Sequence, residues 1–316
     1  MDFPALESIG KKITGDGRMK KGTVCGYSEQ KIKGITLAKL DQVLFAINKN
    51  DKLGEGYATK AFSAIEIAGE TLHPVAARVI RSELQFALMG NSLLTQIDSP
   101  HVMKPARVLS YYKRTHVLQE RLLLFDELMQ CTLWTYCNKD ESVLAARQWL
   151  ISLADEGLPE ALVQNKQGAA TVVDRIIHLH VEIATGLKAI HAAKILHRDL
   201  SHNNVYLDLS GHAKIGDFNL SCPKEDERRK TQTGTQEYWA PELKRKSMHS
   251  CETDIFAFGI MLLWSLDAVG LSKERLAKLP SLEPAYTAAF GAVAAEPSER
   301  LPLDEIIKQL QSVHIP

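Results

Sequence analysis

Residues 197–221 read HRDLSHNNVYLDLSGHAKIGDFNLS, and this stretch limits the fold and chemistry of the chain more than any other. Asp199 can accept a hydroxyl proton. Asn204 follows five residues later, and Asp217 comes just after the strand-like AKIG, so both can reach one divalent ion. Mg²⁺ takes oxygen ligands and commonly bridges substrate phosphates. Isolated Asp and Asn residues are usually solvated or cap a helix. The ordered spacing HRDxxxxN, a short hairpin and then DF is too specific for that.

Two further stretches carry information. LGEGYATKAF (53–62) sets Gly54 and Gly56 between strand-like segments. A backbone without Cβ atoms can lie close over phosphates. Thr59 occupies the third glycine position of GxGxxG, and an ordinary hairpin turn fits the same residues. GTQEYWAPEL (234–243), TDIFAFG (253–259) and EPSERLP (296–302) place Glu242 and Arg300 beside apolar sequence. Buried charges need partners, so these two are expected to pair in a structural role.

The rest of the chain sorts into a strand-rich part and a helical part. AFSAIEIAG, PVAARVIR and ARVLSYYKRTHVLQERLLLFDEL have strand character, the last as a hairpin turning at KRT. SELQFALMGNSLLTQI (82–97) has helical spacing. ITLAKLDQVLFAI (35–47) reads as a short helix running into a strand. Beyond 128, residues 172–193, the buried TDIFAFGIMLLWSL and the closing LPLDEIIKQLQSV read as helices. CPKEDERRKTQTGTQ (222–236) reads as a mobile loop. The predicted organisation is an extension over 1–45, a small lobe over 46–127 and a larger one over 128–316, with an insertion around 137–171.

Lys+Arg and Asp+Glu are both 38, which argues against nucleic acid or a polybasic membrane anchor as the main partner. The five cysteines are scattered without metal-ligand spacing, as expected of reduced thiols. The apolar run 255–266 is too short to span a bilayer. A cytoplasmic location is expected, with export by a route lacking a classical signal left open.

Taken together, the ordered motifs over roughly 48–312 resemble the eukaryotic-type protein kinase family, in its Ser/Thr-like form. The resemblance implies an α+β bilobal fold: a small β-rich lobe with one main helix and a larger helical lobe, with ATP and Mg²⁺ (or Mn²⁺) between them. It implies that Asp199 is the catalytic base and that Asn204 and Asp217 are metal ligands. Leu53, Gly54, Gly56, Ala76, Arg78, Glu127, Leu128 and Tyr206 would surround ATP, with Phe125 as gatekeeper. His197 and Phe218 would stack in the column joining the lobes. Asp254 would hold the catalytic-loop backbone, and Thr235 would sit beside that loop. Arg198 could pair with a phosphorylated loop residue, Thr231 or Thr233. Partners implied are a protein substrate and a docking protein at 1–45 or 137–171.

Four departures qualify this. VAARVI aligns with the family's VAxKVI, so Arg78 stands at the lysine position. Arg keeps the charge, but its planar fork differs from a compact ammonium. Natural divergence and introduced inactivation both fit. Gly90 falls at the usual helix glutamate. Glu83, earlier on that helix, could substitute or simply suit the helix dipole. Asn219 replaces the glycine of DFG. Asn tolerates left-handed backbone, so DFN is expected to keep metal binding and restrict loop flipping. Ser201 replaces the lysine that steadies the transferring phosphate, and the neighbouring His202 reads as a surface residue. Tyr206 stands where a small apolar side chain would lie under adenine, and Lys60 reads as a solvated lysine. The leading reading is a Ser/Thr-type protein kinase. The alternative is a pseudokinase scaffold that binds nucleotide, a protein partner or both.

Overall fold

The computed structural model describes residues 27–32, 35–41, 43–55, 59–68, 71–81, 84–114, 118–138, 169–271 and 279–313. They divide into two compact units. One holds the described residues up to Leu84 together with Ala106–Glu127; the other holds Gln85–Pro105 and the described residues from Leu128 on. Gly56, Glu83 and most of the 137–171 insertion lie outside the described residues.

The first unit is one seven-stranded antiparallel sheet in the order β1-β2-β3-β4-β5-β7-β6. Its strands are β1 (Tyr27–Ile32), β2 (Ile35–Leu40), β3 (Val43–Glu55), β4 (Thr59–Ala68), β5 (Thr71–Ile80), β6 (Arg107–Arg114) and β7 (Leu118–Glu127). The helix expected within 35–47 is corrected: β2 and β3 form a hairpin there, with Leu40 opposite Val43 and Asp41 at φ 54°. Thr36, Leu37 and Ala38 are all buried, so apolar residues fall on both faces and blur the period-two signal. In the β6–β7 hairpin Lys113 and Arg114, expected at the turn, pair in the ladder with Gln119 and Leu118.

Side chains of a strand alternate between faces. The register therefore sorts the residues that matter. Ala77 faces Phe125, and Phe125 stacks on Phe45 with ring centroids 3.6 Å apart. Ala38, Ile47, Ala64, Leu109 and Leu123 join that apolar cluster. Ala76 faces Asp126 and Arg78 faces Leu124, so Ala76, Arg78 and Asp126 share the opposite side.

The second unit is mainly helical. Among the described residues, its helices of five residues or more are α1 (Leu84–Leu94), α2 (Leu133–Cys137), α3 (Ala169–Ala192), α4 (Cys251–Ala268), α5 (Glu283–Ala292) and α6 (Leu303–Gln311). Ser250 and Thr253 form a reciprocal capping box at the start of α4. Ile176, Leu179, Ile183 and Leu187 line one side of α3 and meet Phe258, Met261 and Leu262 of α4 in a single core. A three-stranded sheet, β11-β10-β8, covers the same core. It is built from β8 (Cys131–Thr132), β10 (Val205–Leu207) and β11 (Ala213–Ile215). A strand pair, β9 (Ile195–Leu196) with β12 (Cys222–Pro223), brackets the 197–221 stretch.

The segment 222–236, expected to be a mobile loop, has local structure instead. Its β12 pairs with β9, and a 3₁₀ turn at Glu227–Lys230 is capped by Asp226. The signal was hidden because that turn buries no residue. No helix among the described residues is long and apolar enough to cross a membrane.

Candidate active site

The loop after β9 is held from below by Asp254. Its carboxylate accepts the backbone N–H of His197 at Oδ2 (2.9 Å) and of Arg198 at Oδ1 (2.9 Å). Arg198 has φ 70°, a left-handed conformation that costs about 1–2 kcal/mol for an L-residue, and these two bonds help hold it. His191 adds a third contact, Nε2 to Oδ2 at 3.0 Å. Burial opposes charge on His191, but the bond to Asp254 more than offsets it, and its pKa rises to about 9. Burial likewise raises the Asp254 pKa, but His191 outweighs it and the net shift is downward.

On this base the loop brings its polar side chains together. Asp199 Oδ1 accepts from Thr235 N (2.8 Å) and from Thr235 Oγ1 (2.7 Å). Asp199 Oδ2 accepts from Asn204 Nδ2 (2.9 Å), which also donates to the Asp199 carbonyl at 2.8 Å. With its amide hydrogens committed this way, the Asn204 side chain keeps Oδ1 as its acceptor. The Asn204 backbone carbonyl accepts from Gly216 N at 2.9 Å, which ties this residue to the one before Asp217. Gly234 takes φ 93°, and a Cβ there would collide with the Arg198 carbonyl. Only glycine lets Thr235 come this close to Asp199.

The left-handed backbone that Asn219 would tolerate is found two residues earlier: Asp217 has φ 57°, and Asn219 is not among the residues of positive φ. Asp217 caps a 3₁₀ turn over Phe218–Leu220, and an Asp side chain suits that conformation. His197 is fully buried, bonds the Gly216 carbonyl through Nε2 (3.0 Å), and meets the Phe218 ring edge-on at 5.0 Å. The Tyr206 ring leans on Gly216, where a Cβ would lie 2.9 Å from Tyr206 Cε2.

Asn204 and Asp217 offer an amide oxygen and a half-buried carboxylate, a hard-oxygen donor set of the kind Mg²⁺ or Mn²⁺ takes. Ser201 is buried, with 2% of its surface exposed, so it offers no reach toward a phosphate. His202 corrects the surface reading. It is 2% exposed, bonds Tyr238 Oη at 2.8 Å and Ser265 Oγ at 3.0 Å, and stacks on Trp264. An imidazole has two polar nitrogens and an apolar ring, so it can be buried once both nitrogens find partners.

Gly90 of α1 lies against the peptide after Phe218. A Cβ there would sit 2.5 Å from the Phe218 carbonyl oxygen and 3.1 Å from Asn219 N. No side chain fits at this position while that packing holds.

Arg198 reaches the loop after β12. Its guanidinium donates to the Leu220 carbonyl (3.0 Å), to the Thr231 carbonyl (3.0 Å) and to Thr231 Oγ1 (2.6 Å). These bonds go to Thr231 rather than to Thr233. Arg300, its side chain fully buried, forks onto Glu242 with both bonds at 2.7 Å.

In the strand-rich unit, Arg78 forks onto Asp126. Nε meets Oδ2 at 2.5 Å and a terminal nitrogen meets Oδ1 at 2.8 Å. The Asp126 side chain is 4% exposed, so its charge relies on this partner. Phe125, expected as gatekeeper, lies on the opposite face from Ala76 and Arg78, because strand alternation gives that face to Asp126. Leu53 and Gly54 lie near the end of β3, where Gly54 pairs with Ala61 and open space surrounds a would-be Cβ. Lys60 pairs with Glu55 at 2.7 Å at the surface, with 30% of its side chain exposed. Glu127, opposite Val75, ends this unit, and Leu128 begins the other as a buried residue.

Sequence reasoning missed Asp126 and His191. An aspartate inside the apolar run LLLFDEL was a readable signal, since a charge in a central strand needs a partner. His191 had none, because its meeting with Asp254 spans 63 positions of sequence.

The sheet of the first unit and the helices of the second are the two parts expected of a protein-kinase fold. Residues 47–273 match the family described as Protein kinase domain, and the chain belongs to that family. It is similar to the mouse (Mus musculus) "Serine/threonine-protein kinase PLK2", 33% identical over 143 residues that cover 40% of this chain and 21% of that protein. It is also similar to the mouse "Interferon-induced, double-stranded RNA-activated protein kinase", 32% identical over 134 residues, covering 42% of this chain and 26% of that one. The matched stretches thus span about a quarter or less of these curated relatives.

Proposed function

We propose that the chain is a Ser/Thr-type protein kinase with an attenuated phosphate anchor, moving the γ-phosphoryl group of ATP to a protein hydroxyl. The observation that carries this reading is the Asp199 carboxylate, oriented by Thr235 on one oxygen and by Asn204 on the other. An oriented carboxylate can take a hydroxyl proton as the phosphoryl group leaves. Asn204 and Asp217 are the residues that would hold Mg²⁺ or Mn²⁺, which supplies positive charge against phosphate oxygens when bound. Leu53, Gly54, Gly56, Ala76, Arg78, Glu127, Leu128 and Tyr206 are proposed to contact ATP. Arg198 and Thr231, with Thr233 nearby, are proposed as the regulatory contact, and a protein substrate and docking partner follow from the family.

The attenuation rests on two observations. Arg78 is engaged by Asp126, so turning to a phosphate would strand a buried carboxylate. Gly90 supplies no acidic partner on α1. Loss of such positioning is worth on the order of one to three decades in rate. The same two observations favour a second reading, a pseudokinase scaffold.

The test compares the unmodified chain, Arg78→Lys and Asp199→Ala with Mg-ATP, reading autophosphorylation by mass spectrometry and nucleotide binding by thermal shift. Phosphorylation in the first or second that disappears in Asp199→Ala supports the kinase. Nucleotide-dependent stabilisation without phosphorylation in any form supports the scaffold.

A further inference from the structure

Away from the Asp199 loop, three side chains with metal-binding atoms converge where α3 passes the turn between β10 and β11. His178 and Glu182 are four residues apart on α3, so they project from the same side. His212 comes from the turn, where Asp208 Oδ1 accepts its backbone N–H at 2.9 Å and fixes its place. His178 Nε2 lies 3.3 Å from Glu182 Oε1, and His212 Nδ1 lies 2.6 Å from the same oxygen. One ligand atom from each of the three falls within 4.8 Å of the others.

The carboxylate between the imidazoles is built in. The Glu182 side chain is 6% exposed, and its other oxygen accepts Ala213 N at 2.7 Å. That leaves Oε1 aimed at two imidazoles whose side chains are 58% and 53% exposed. We propose that His178, Glu182 and His212 form a binding site for a divalent transition-metal ion of the zinc class, with a fourth position open to water.

The donor set selects that class. Two imidazole nitrogens and one carboxylate oxygen suit Zn²⁺, Co²⁺ or Ni²⁺, whereas Mg²⁺ and Ca²⁺ take oxygen sets. Zinc bonds of 2.0–2.2 Å in a tetrahedral arrangement place ligand atoms ~3.3 Å apart. The His178 contact already has that spacing. His212 must open slightly and the imidazoles must draw together, which exposed rings can do. Arg175, one turn before His178, is the nearby opposing charge, but it is committed to the Gly211 carbonyl. A bound ion would fasten α3 to the start of β11, the strand that leads through Gly216 to Asp217.

The test uses the full chain after chelator treatment. Co²⁺ is added and followed by its visible absorption, and Zn²⁺ binding is measured by calorimetry. The variants are His178→Ala, His212→Ala and the pair together, all at exposed rings that should leave folding intact; circular dichroism checks this. The expected result is one equivalent of metal with a four-coordinate Co²⁺ spectrum. Each single variant should lose at least tenfold in affinity, the pair about a hundredfold, and Zn²⁺ should raise the Tm of the unmodified chain only. No stoichiometric uptake, or unchanged affinity in the folded double variant, overturns the site. Imidazoles held to Glu182 by hydrogen bonds alone would give that result.

Discussion

The Arg78 guanidinium and the Asp126 carboxylate meet through two bonds, of 2.5 and 2.8 Å, across neighbouring strands β5 and β7. Register makes the pairing possible, since both residues stand on one face of the sheet. The positive charge proposed as the phosphate anchor is thereby engaged by a carboxylate inside the sheet.

Asp126→Asn should therefore destabilise the chain by about 1–3 kcal/mol, because it removes one partner of a largely buried pair. The Arg78 side chain is 25% exposed, which keeps the cost below that of a fully buried pair. Urea denaturation measures it. An unchanged midpoint would mean the pair contributes nothing. The same variant removes the charge that holds the Arg78 guanidinium, so nucleotide affinity should rise where Arg78 contacts phosphate.

Gly90→Ala provides a test by sign. In an exposed helix interior this change stabilises by about 0.5–1 kcal/mol. Here the added carbon meets the Phe218–Asn219 backbone, so a loss of about 1–3 kcal/mol is expected. Gly90→Glu should fail to raise activity even beside Arg78→Lys. A stabilised Gly90→Ala variant would contradict the packing.

Stability should peak near neutral pH. His249 is held to a pKa of about 4 by burial and then by the Arg198 charge, while its unfolded value is near 6.5. Below 6.5 the unfolded chain binds the extra proton, so stability falls as pH drops toward 4. His191, raised to about 9, behaves oppositely. Its contribution is complete below 6.5 and is lost as pH climbs through 9. Each of these two histidines accounts for roughly 3 kcal/mol. Burial holds His180 and His202 down as well, so His249→Gln should flatten the acid limb of urea midpoints against pH without removing it, while His191→Gln should lose the alkaline limb.

Thr231→Val should lower activity severalfold, since it removes the hydroxyl that Arg198 holds at 2.6 Å and the site where a phosphate would meet that guanidinium. A phosphatase-treated chain should show the same loss. Full activity in both would dissociate the contact from regulation.

Much of the helical unit was legible because local spacing carried it. HRDxxxxN and DF are set by one loop and one hairpin, and the geometry joins Asp199, Asn204 and Gly216 within that span. Helix α3 announced itself by its amphipathic pattern, and α4 by an unbroken apolar run. What stayed hidden depends on distant partners or on two-faced burial. His202 is buried because Tyr238 and Ser265, far along the chain, satisfy both nitrogens. β2 was misread because its residues are buried on both sides. The Asp126 partner of Arg78 needed the strand register, which the pattern of apolar residues does not fix.

The glycine at position 90 also governs how α1 and the DFN segment can move. With the Phe218–Asn219 peptide occupying the space a side chain would take, a shift of either one must carry the other or open the contact. The pair works as a keyed joint, so a ligand that displaces the DFN backbone should be felt first at the middle of this helix.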